Sequence, residues 1–513
     1  MNPAFSFSRR LVIFSRVACL PVLCASALLA QPRPEDKPLP PPPPVYAEFK
    51  FSFGLTPAQT APATYTAVSA DTLYTSELGH GFDLGTKPGV DTPFFFSVKL
   101  PEGNYRVTVT LGDPACESNT SIRTESGHIM ATGIATTTGQ RVTRTFYANV
   151  RRPQLPPPPA NAPGGSIVHM FLAGEAEARH WDEKLTLEFN GPRPCLAALE
   201  IVKDDRVPTL FTAGDSTVGD PRRGPGGNWP TQLCQFLKPE ISLCNAAEGG
   251  ETTKSFITGY RFDKVLSQMK AGDFLLVQFG HNDSKPQWPQ SYTEPGTTFK
   301  AYLHVILAET RRRGATLVLV TPMERRANGD TVGPWARAMR EFATEEKISL
   351  IDQWAASKQL WTALGPNVGT AFADQTHLSG YGGYLLSKLI VAGIRQNVPA
   401  LARFIADDFQ PMDPTRPEPP PAYLKESPGP ATPRHPPPHP APVIAPSRSP
   451  PRERREESER REESPSHPPT TSAFIANRPP FPFLPQRRAR YPCIHRPPAS
   501  LSPASRLPSP WPV

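Results

Sequence analysis

The sequence lacks the features that would mark a membrane protein or a metalloprotein. After the N-terminal 30 residues, no segment approaches the ~18 continuous apolar residues of a membrane span, so we expect no stable membrane insertion. No cluster of cysteine and histidine has the spacing of a zinc site, and we expect no metal. Net charge is +8, but much of it lies in an arginine-rich C-terminal part where arginine alternates with glutamate, at residues 452–463. This pattern favours a charged, disordered tail over a nucleic-acid partner.

Cysteines are few, seven in 513 residues, and Cys19 and Cys24 fall in the segment interpreted below as a signal. The remaining five are Cys116, Cys195, Cys234, Cys244 and Cys493. In an exported protein Cys116 with Cys195, and Cys234 with Cys244, could form disulfides. The alternative is that these four are small buried apolar residues, because an odd count at wide spacing specifies no framework.

The N-terminus has the pattern of an export signal. Arg9 and Arg10 precede an apolar stretch that ends in small residues near Ala30. Residues 1–30 are therefore predicted to be a signal peptide, of Sec type or, since two arginines are adjacent, of twin-arginine type. We expect export to the periplasm or the exterior of the cell.

The 67 prolines divide the chain into regions. Residues 31–45 are predicted to be an extended Pro-rich linker, and residues 408–513 a disordered tail rich in Pro, Arg and Ser. A chain ending near Phe409 is expected to keep its fold and activity.

Residues 46–207 show short alternating strands and almost no helical period. Phe94–Leu100, Asn104–Leu111 and Lys184–Phe189 are examples, with a hairpin-type turn at residues 101–104. This pattern predicts a β-sandwich.

From residue 208 to residue 407 the pattern changes to alternating strands and amphipathic helices, which predicts an α/β domain with a parallel sheet between two helical layers. Function is then expected at the carboxyl ends of the strands. The predicted strands are Leu210–Ala213, Ile241–Cys244, Phe274–Phe279, Thr316–Val320 and Ile348–Ile351.

Ser216, in the segment Gly214-Asp215-Ser216, follows the first of these strands. Its hydroxyl is a candidate nucleophile, although a serine at this place could instead only cap the next helix. His377 is the candidate base, and Asp374, three positions earlier, could orient its imidazole. The alternative for Asp374 and His377 is a pair that caps the helix starting near Ser379.

Acyl transfer also needs donors aimed at the developing oxyanion. The backbone N–H of Ser216, the backbone N–H of Gly250 and the side-chain amide of Asn282 are candidates, because all three follow strands of the predicted sheet. For Gly250 the alternative is a flexible turn, and for Asn282 it is an Asx turn beside Asp283.

These segments, in this order, resemble the SGNH/GDSL hydrolase superfamily. The motifs are GDS at 214–216, a glycine block at 245–256, GHND at 280–283 and the Asp374–His377 motif. The blocks are most similar to those of rhamnogalacturonan acetylesterases, and residues 74–85 resemble galactose-binding-like modules. The resemblance implies a flavodoxin-like sheet, with Ser216, Asp374 and His377 as the catalytic triad. It also implies Ser216, Gly250 and Asn282 as the oxyanion hole.

One departure from the resemblance is Glu251, which stands where such esterases usually carry arginine. A negative charge there is expected to repel uronic acids. The loop at 283–296, together with the GHND motif, supplies candidate substrate-binding side chains, although its aromatic residues could instead fold back as packing. The candidates are His281, Lys285, Trp288 and Tyr292.

We therefore expect a secreted, monomeric serine esterase, independent of any cofactor, that removes O-acetyl groups from a plant cell-wall polysaccharide such as rhamnogalacturonan. One alternative is a general or lipolytic carboxylesterase with the same triad. The other is a non-enzymatic protein that binds glycans through the β-sandwich. Because residues 46–207 contain no triad of their own, the isolated catalytic domain is expected to hydrolyse small acetyl esters at a rate within a few-fold of that of the full chain.

Overall fold

The structure is a computed structural model, and the residues it describes lie between Glu48 and Glu426. The predicted signal, the Pro-rich linker and the chain beyond residue 426 lie outside the described residues. The described ranges are 48–54, 64–89, 92–125, 127–170, 180–220 and 227–426.

The N-terminal half of the described chain is built from strands, as its alternating pattern predicts. The strands are β1 (Phe49–Phe53), β2 (Thr66–Val68), β3 (His80–Asp83), β4 (Phe94–Lys99), β5 (Gly103–Leu111), β6 (Ser118–Thr124), β7 (His128–Thr136), β8 (Val142–Val150), β9 (Lys184–Arg193) and β10 (Ala198–Lys203).

These strands form two five-stranded sheets, in the orders β2-β1-β10-β5-β8 and β3-β4-β9-β6-β7. Pairing is antiparallel except between β1 and β2. One apolar cluster takes side chains from both sheets, among them Phe96 of β4 and Val107 of β5, neither of which is exposed to solvent. The galactose-binding-like assignment of this strand-rich region stays a prediction.

The chain then passes from antiparallel to parallel pairing between Lys203 and Thr209. The strands that follow are β11 (Thr209–Gly214), β12 (Ser242–Asn245), β13 (Phe274–Gln278), β14 (Thr316–Val320) and β15 (Ser349–Ile351). The α-helices are α1 (Trp229–Leu233), α2 (Thr253–Thr258), α3 (Arg261–Gln268), α4 (Lys300–Arg312), α5 (Gly333–Glu346), α6 (Gln353–Leu364), α7 (Gly380–Asn397) and α8 (Pro399–Ala402). Short segments of other helix types lie at Cys234–Phe236, Pro295–Phe299, Gly365–Ala371 and Ala422–Lys425.

The parallel strands are ordered β12-β11-β13-β14-β15. This is the flavodoxin-like order. The second strand, β12, lies on one side of β11, and the later strands follow one another on the other side. The predicted α/β fold is confirmed, and the predicted strands agree with the observed ones to within two residues at each end.

Apolar side chains on both faces of the parallel sheet explain the layering. On β13, Leu276 belongs to one core cluster and Leu275 and Val277 to the cluster on the other face. Because successive side chains of a strand point to opposite faces, a continuous apolar run requires cover on both sides. Helices supply that cover, so the loops at the carboxyl ends of the strands remain for function.

The first part of the predicted tail is an exception to the expectation of disorder. Phe409, Met412 and Tyr423 are buried. Glu418 accepts a 2.7 Å hydrogen bond from Tyr384 of α7. The predicted boundary at residue 408 is therefore wrong for residues 408–426, because scattered apolar and acidic side chains in this proline-rich segment find partners on the folded domain.

The four described cysteines, Cys116, Cys195, Cys234 and Cys244, are free thiols. Cys493 lies outside the described residues. Within the described ranges, no helix has the length and apolar character needed to cross a bilayer.

Candidate active site

Ser216 lies in a tight turn directly after β11. The carboxylate of Asp215 points into the protein and accepts hydrogen bonds from the backbone N–H and the hydroxyl of Thr217, at 2.9 and 2.8 Å. Burial alone would raise the pKa of Asp215, but His281 and Thr217 hold it below its ordinary value. The neighbouring Gly214 has no room for a side chain, since a Cβ there would lie 2.6 Å from the Gln278 carbonyl oxygen. The turn is thus fixed on both sides of Ser216.

His377 brings its ring to this turn from the segment that precedes α7. Its Nε2 atom lies 2.9 Å from Ser216 Oγ, and its Nδ1 atom lies 2.6 Å from Asp374 Oδ2. The three side chains that the sequence predicts as a triad therefore form one continuous chain of hydrogen bonds.

The backbone fixes Asp374 for this role. Its Oδ1 atom accepts 2.7 Å hydrogen bonds from the backbone N–H groups of Thr376 and His377. Burial opposes ionisation of Asp374, but the hydrogen bonds from His377 and Thr376 lower its pKa to about 2. An ionised carboxylate must accept from Nδ1–H, which leaves Nε2 of the neutral ring free to accept the serine proton.

The three predicted oxyanion donors also meet at this place. Ser216, Gly250 and Asn282 line one cleft. Gly250 has a φ of +95°, a conformation that favours glycine, so its backbone can approach the site closely. The Asn282 side-chain amide donates one hydrogen bond to the Glu251 carbonyl oxygen at 3.0 Å. An amide nitrogen carries two hydrogens, so a second donor is available to a ligand.

The cleft has a volume of about 1130 Å³ and is lined by Lys285 and Trp288 among the predicted substrate-binding residues. Trp288 is 44% exposed, and the Lys285 ammonium lies 4.3 Å from the centre of its ring. Both are placed to contact a ligand that reaches Ser216.

Two other predicted substrate-binding residues are not placed for that role. His281 lines the cleft but is 2% exposed, and its ring nitrogens lie 3.2 Å from Asp215 Oδ2 and 3.0 Å from the Met323 carbonyl oxygen. Tyr292 does not line the cleft among the described residues, and its ring packs against Trp335 instead. His281 therefore supports the nucleophile turn, and Tyr292 contributes packing.

Sequence reasoning missed several residues of the cleft. Arg325, which follows β14, lines it and donates a 3.0 Å hydrogen bond to the His281 carbonyl oxygen. Its position after the carboxyl end of a parallel strand was the signal that could have found it. His169, His180 and Trp181 line the cleft from the strand-rich region, and no local pattern indicates that contact.

Glu251 is buried, which changes the expectation attached to its charge. The side chain is 4% exposed, it contacts the Ser255 hydroxyl, and one carboxylate oxygen lies 3.8 Å from Arg261 Nε. Burial raises the pKa of Glu251, while Ser255 and Arg261 oppose that rise. Because little of Glu251 reaches solvent and burial disfavours its charged form, the expected repulsion of uronic acids is not supported by this geometry.

The GDSL-like lipase/acylhydrolase family matches residues 212–383. Rhamnogalacturonan acetylesterase RhgT of Bacillus subtilis (strain 168) is 34% identical in an alignment of 211 residues that covers 36% of this chain and 89% of that protein. Probable rhamnogalacturonan acetylesterase YesY of the same organism is also 34% identical, over 36% of this chain and 92% of its own. The crystal structure of B. subtilis YxiM is 22% identical and covers 68% of this chain and 98% of that one, at a TM-score of 0.38.

The chain belongs to the GDSL-like lipase/acylhydrolase family, and it is a carboxylic ester hydrolase. Within that family it is homologous to rhamnogalacturonan acetylesterases.

Proposed function

We propose that this protein is a serine acetylesterase that removes O-acetyl groups from an acetylated polysaccharide. The observation that carries the proposal is the hydrogen-bond chain from Asp374 through His377 to Ser216, which opens into a cleft also lined by Gly250 and Asn282. Homology to acetylesterases supports the same acyl group.

In the proposed reaction, Ser216 Oγ attacks the acetyl carbonyl carbon while His377 Nε2 takes the hydroxyl proton. The carbonyl oxygen becomes an oxyanion, which the N–H groups of Ser216 and Gly250 and the amide of Asn282 stabilise. His377 then gives its proton to the sugar oxygen as the C–O bond breaks, leaving an acetyl-serine. Water repeats the sequence with His377 as base, and acetate leaves. These steps use no cofactor.

The proposed substrate is rhamnogalacturonan or a related pectic polysaccharide. Lys285 and Arg325 line the cleft and would attract the carboxylates of uronic acids. Trp288 offers an exposed ring on which a sugar can stack. Two relatives that carry this substrate in their names support the same assignment.

We also infer that the protein acts outside the cytoplasm, as a monomer. Arg9, Arg10 and the apolar stretch after them support export. A polysaccharide substrate, which lies outside the cytoplasm, supports the same location.

The test is acetate release by the purified full chain from acetylated rhamnogalacturonan, xylan and mannan, with Ser216→Ala as the matched variant. We expect release to be fastest from rhamnogalacturonan. Ser216→Ala should lower turnover of p-nitrophenyl acetate by several orders of magnitude while keeping the fold. If Ser216→Ala kept more than about a tenth of the turnover, the assignment of the nucleophile would be wrong.

Two other results would redirect the proposal. Faster hydrolysis of long-chain than of acetyl esters would indicate a lipolytic carboxylesterase. Glycan binding by a wild-type chain that hydrolyses no ester would indicate a binding protein.

A further inference from the structure

A buried polar network joins the strand-rich region to the turn that carries Ser216. Its centre is Asp220, which follows Ser216 closely in the sequence. The side chain of Asp220 is 6% exposed. His128, at the start of β7, places Nε2 2.7 Å from Asp220 Oδ1. Arg151, just after β8, forms a salt bridge with Asp220 Oδ2, and His180 Nδ1 lies 3.6 Å from the same oxygen. The side chains of His128 and Arg151 are only 3% and 1% exposed.

The other side of the network reaches the glycine loop of the site. Asn245, at the end of β12, donates hydrogen bonds to Asp220 Oδ1 at 2.8 Å and to the Val218 carbonyl oxygen at 2.9 Å. Its Oδ1 atom accepts from the backbone N–H of Ala247 at 3.2 Å. Ala247 lies in the loop that carries Gly250. Asp220 is therefore in contact, directly or through Asn245, with two of the three loops that supply oxyanion donors, those of Ser216 and Gly250.

Charge explains why Asp220 needs these partners. Burial opposes ionisation of Asp220, but His128, His180 and Arg151 hold its pKa far below the ordinary value. Burial likewise opposes the charged form of His128, yet Asp220 raises the pKa of that ring to about 10. A buried carboxylate that lost such partners would have to move toward water or take up a proton. Movement of Asp220 would shift the turn that carries the nucleophile, because Asn245 holds both Asp220 and the Val218 carbonyl oxygen.

We propose that His128 and Arg151 are positioning residues for ester hydrolysis, and that the strand-rich region completes the active site instead of being a separable module. This inference rests on the proposed function, and it replaces the expectation that the isolated catalytic domain hydrolyses small esters at a rate within a few-fold of that of the full chain. Displacement of reacting groups by about 1 Å can slow a reaction by about 10²-fold.

The experiment uses the full chain with the substitutions His128→Ala and Arg151→Met, and p-nitrophenyl acetate as substrate. We expect kcat to fall about tenfold to a hundredfold, with KM changed by less than about threefold. His128→Gln, which can still donate to Asp220, should recover much of the rate. The matched control is Arg123→Met, which removes an equally buried arginine of the strand-rich region that pairs with Glu188. Its kcat should stay at the wild-type value in the folded protein.

Hydrogen–deuterium exchange supplies a readout that does not depend on activity. His128→Ala and Arg151→Met should speed exchange at residues 214–220 and 245–251, and Arg123→Met should not. If the wild-type chain hydrolysed no ester, the proposed function would fail, while faster exchange in both segments would still support the coupling. If Arg151→Met did not fold, the comparison of His128→Ala with His128→Gln would decide. Rates and exchange equal to those of Arg123→Met would overturn the inference.

Discussion

The Nζ atom of Lys285 donates a 2.6 Å hydrogen bond to the Oδ1 atom of Asn282. Together with the hydrogen bond from Nδ2 to the Glu251 carbonyl oxygen, this contact fixes the orientation of the Asn282 amide, and the second Nδ2 hydrogen is left to donate. It also places a positive charge next to a candidate oxyanion donor. Burial and the nearby Arg325 lower the pKa of Lys285, so its ammonium form is less favoured than that of an exposed lysine.

Replacing Lys285 with methionine should lower kcat for p-nitrophenyl acetate by about tenfold, with little change in KM, because the lost charge acts mainly on the transition state. Lys285→Arg should keep most of the rate.

The dependence of kcat on pH should change as well. In the wild type, kcat should fall on the alkaline side as Lys285 loses its proton, and this alkaline decrease should be absent in Lys285→Met. The measurement is kcat and KM against pH. Lys300→Met, which removes a lysine that pairs with Glu345 on α5, is the control and should have no effect.

Asn282 itself should have the larger effect. Asn282→Ala removes a donor aimed at the oxyanion, and kcat should fall by about 10²–10³ with KM nearly unchanged. Steady-state kinetics on a small acetyl ester measure both constants. A large rise in KM at constant kcat would instead make Asn282 a residue that binds the ground state.

The parallel sheet and the triad could be predicted from the sequence because local patterns carry them. Each strand is a short apolar run, and Ser216, Asn282 and His377 each stand where such a strand or the last loop ends. Because the carboxyl ends of parallel strands lie at the same edge of a sheet, these residues come together there.

What could not be predicted depends on contacts between residues far apart in the sequence. His281 follows a strand, as a ligand-binding residue would. Only the contact of its ring with the buried carboxylate of Asp215 shows that the ring already has a partner inside the protein. The contact of His128 with Asp220 is similar, since neither residue belongs to a pattern. Arg123 and Glu426, which form a 2.6 Å salt bridge, are an extreme case, because about three hundred residues separate them.

The C-terminal segment gives a prediction that differs from the sequence-based one. A chain ending after Phe409 loses the buried Met412 and Tyr423 and leaves Arg123 without Glu426. Burial of two such side chains stabilises a fold by about 3–6 kcal/mol in total, so its Tm should fall clearly below that of the full chain. A chain ending after Glu426 is the control and should keep the wild-type Tm. Equal melting of both truncated chains would show that residues 410–426 contribute no stability.

Asp283 has a further consequence for stability against pH. Its carboxylate is fully buried, and Oδ1 accepts from the Thr253 N–H at 3.0 Å and from the hydroxyls of Thr253 and Thr293 at 2.7 and 2.9 Å. Oδ2 has no partner among the described residues. Burial raises the pKa of Asp283 to about 6, the hydrogen bonds oppose this rise, and Asp215 adds to it.

The folded protein therefore holds the Asp283 proton more tightly than the unfolded chain does. As pH rises from about 4 to about 6, the unfolded chain loses this proton before the folded protein does. The contribution of Asp283 to the free energy of unfolding therefore decreases across this range. Asp283→Asn keeps the Oδ1 acceptor and cannot ionise. Relative to wild type, its free energy of unfolding should rise across that window and then stay constant, by at most about 3 kcal/mol at neutral pH. Denaturant unfolding of both proteins at several pH values measures this difference, and a difference independent of pH would show that folding leaves the pKa of Asp283 unchanged.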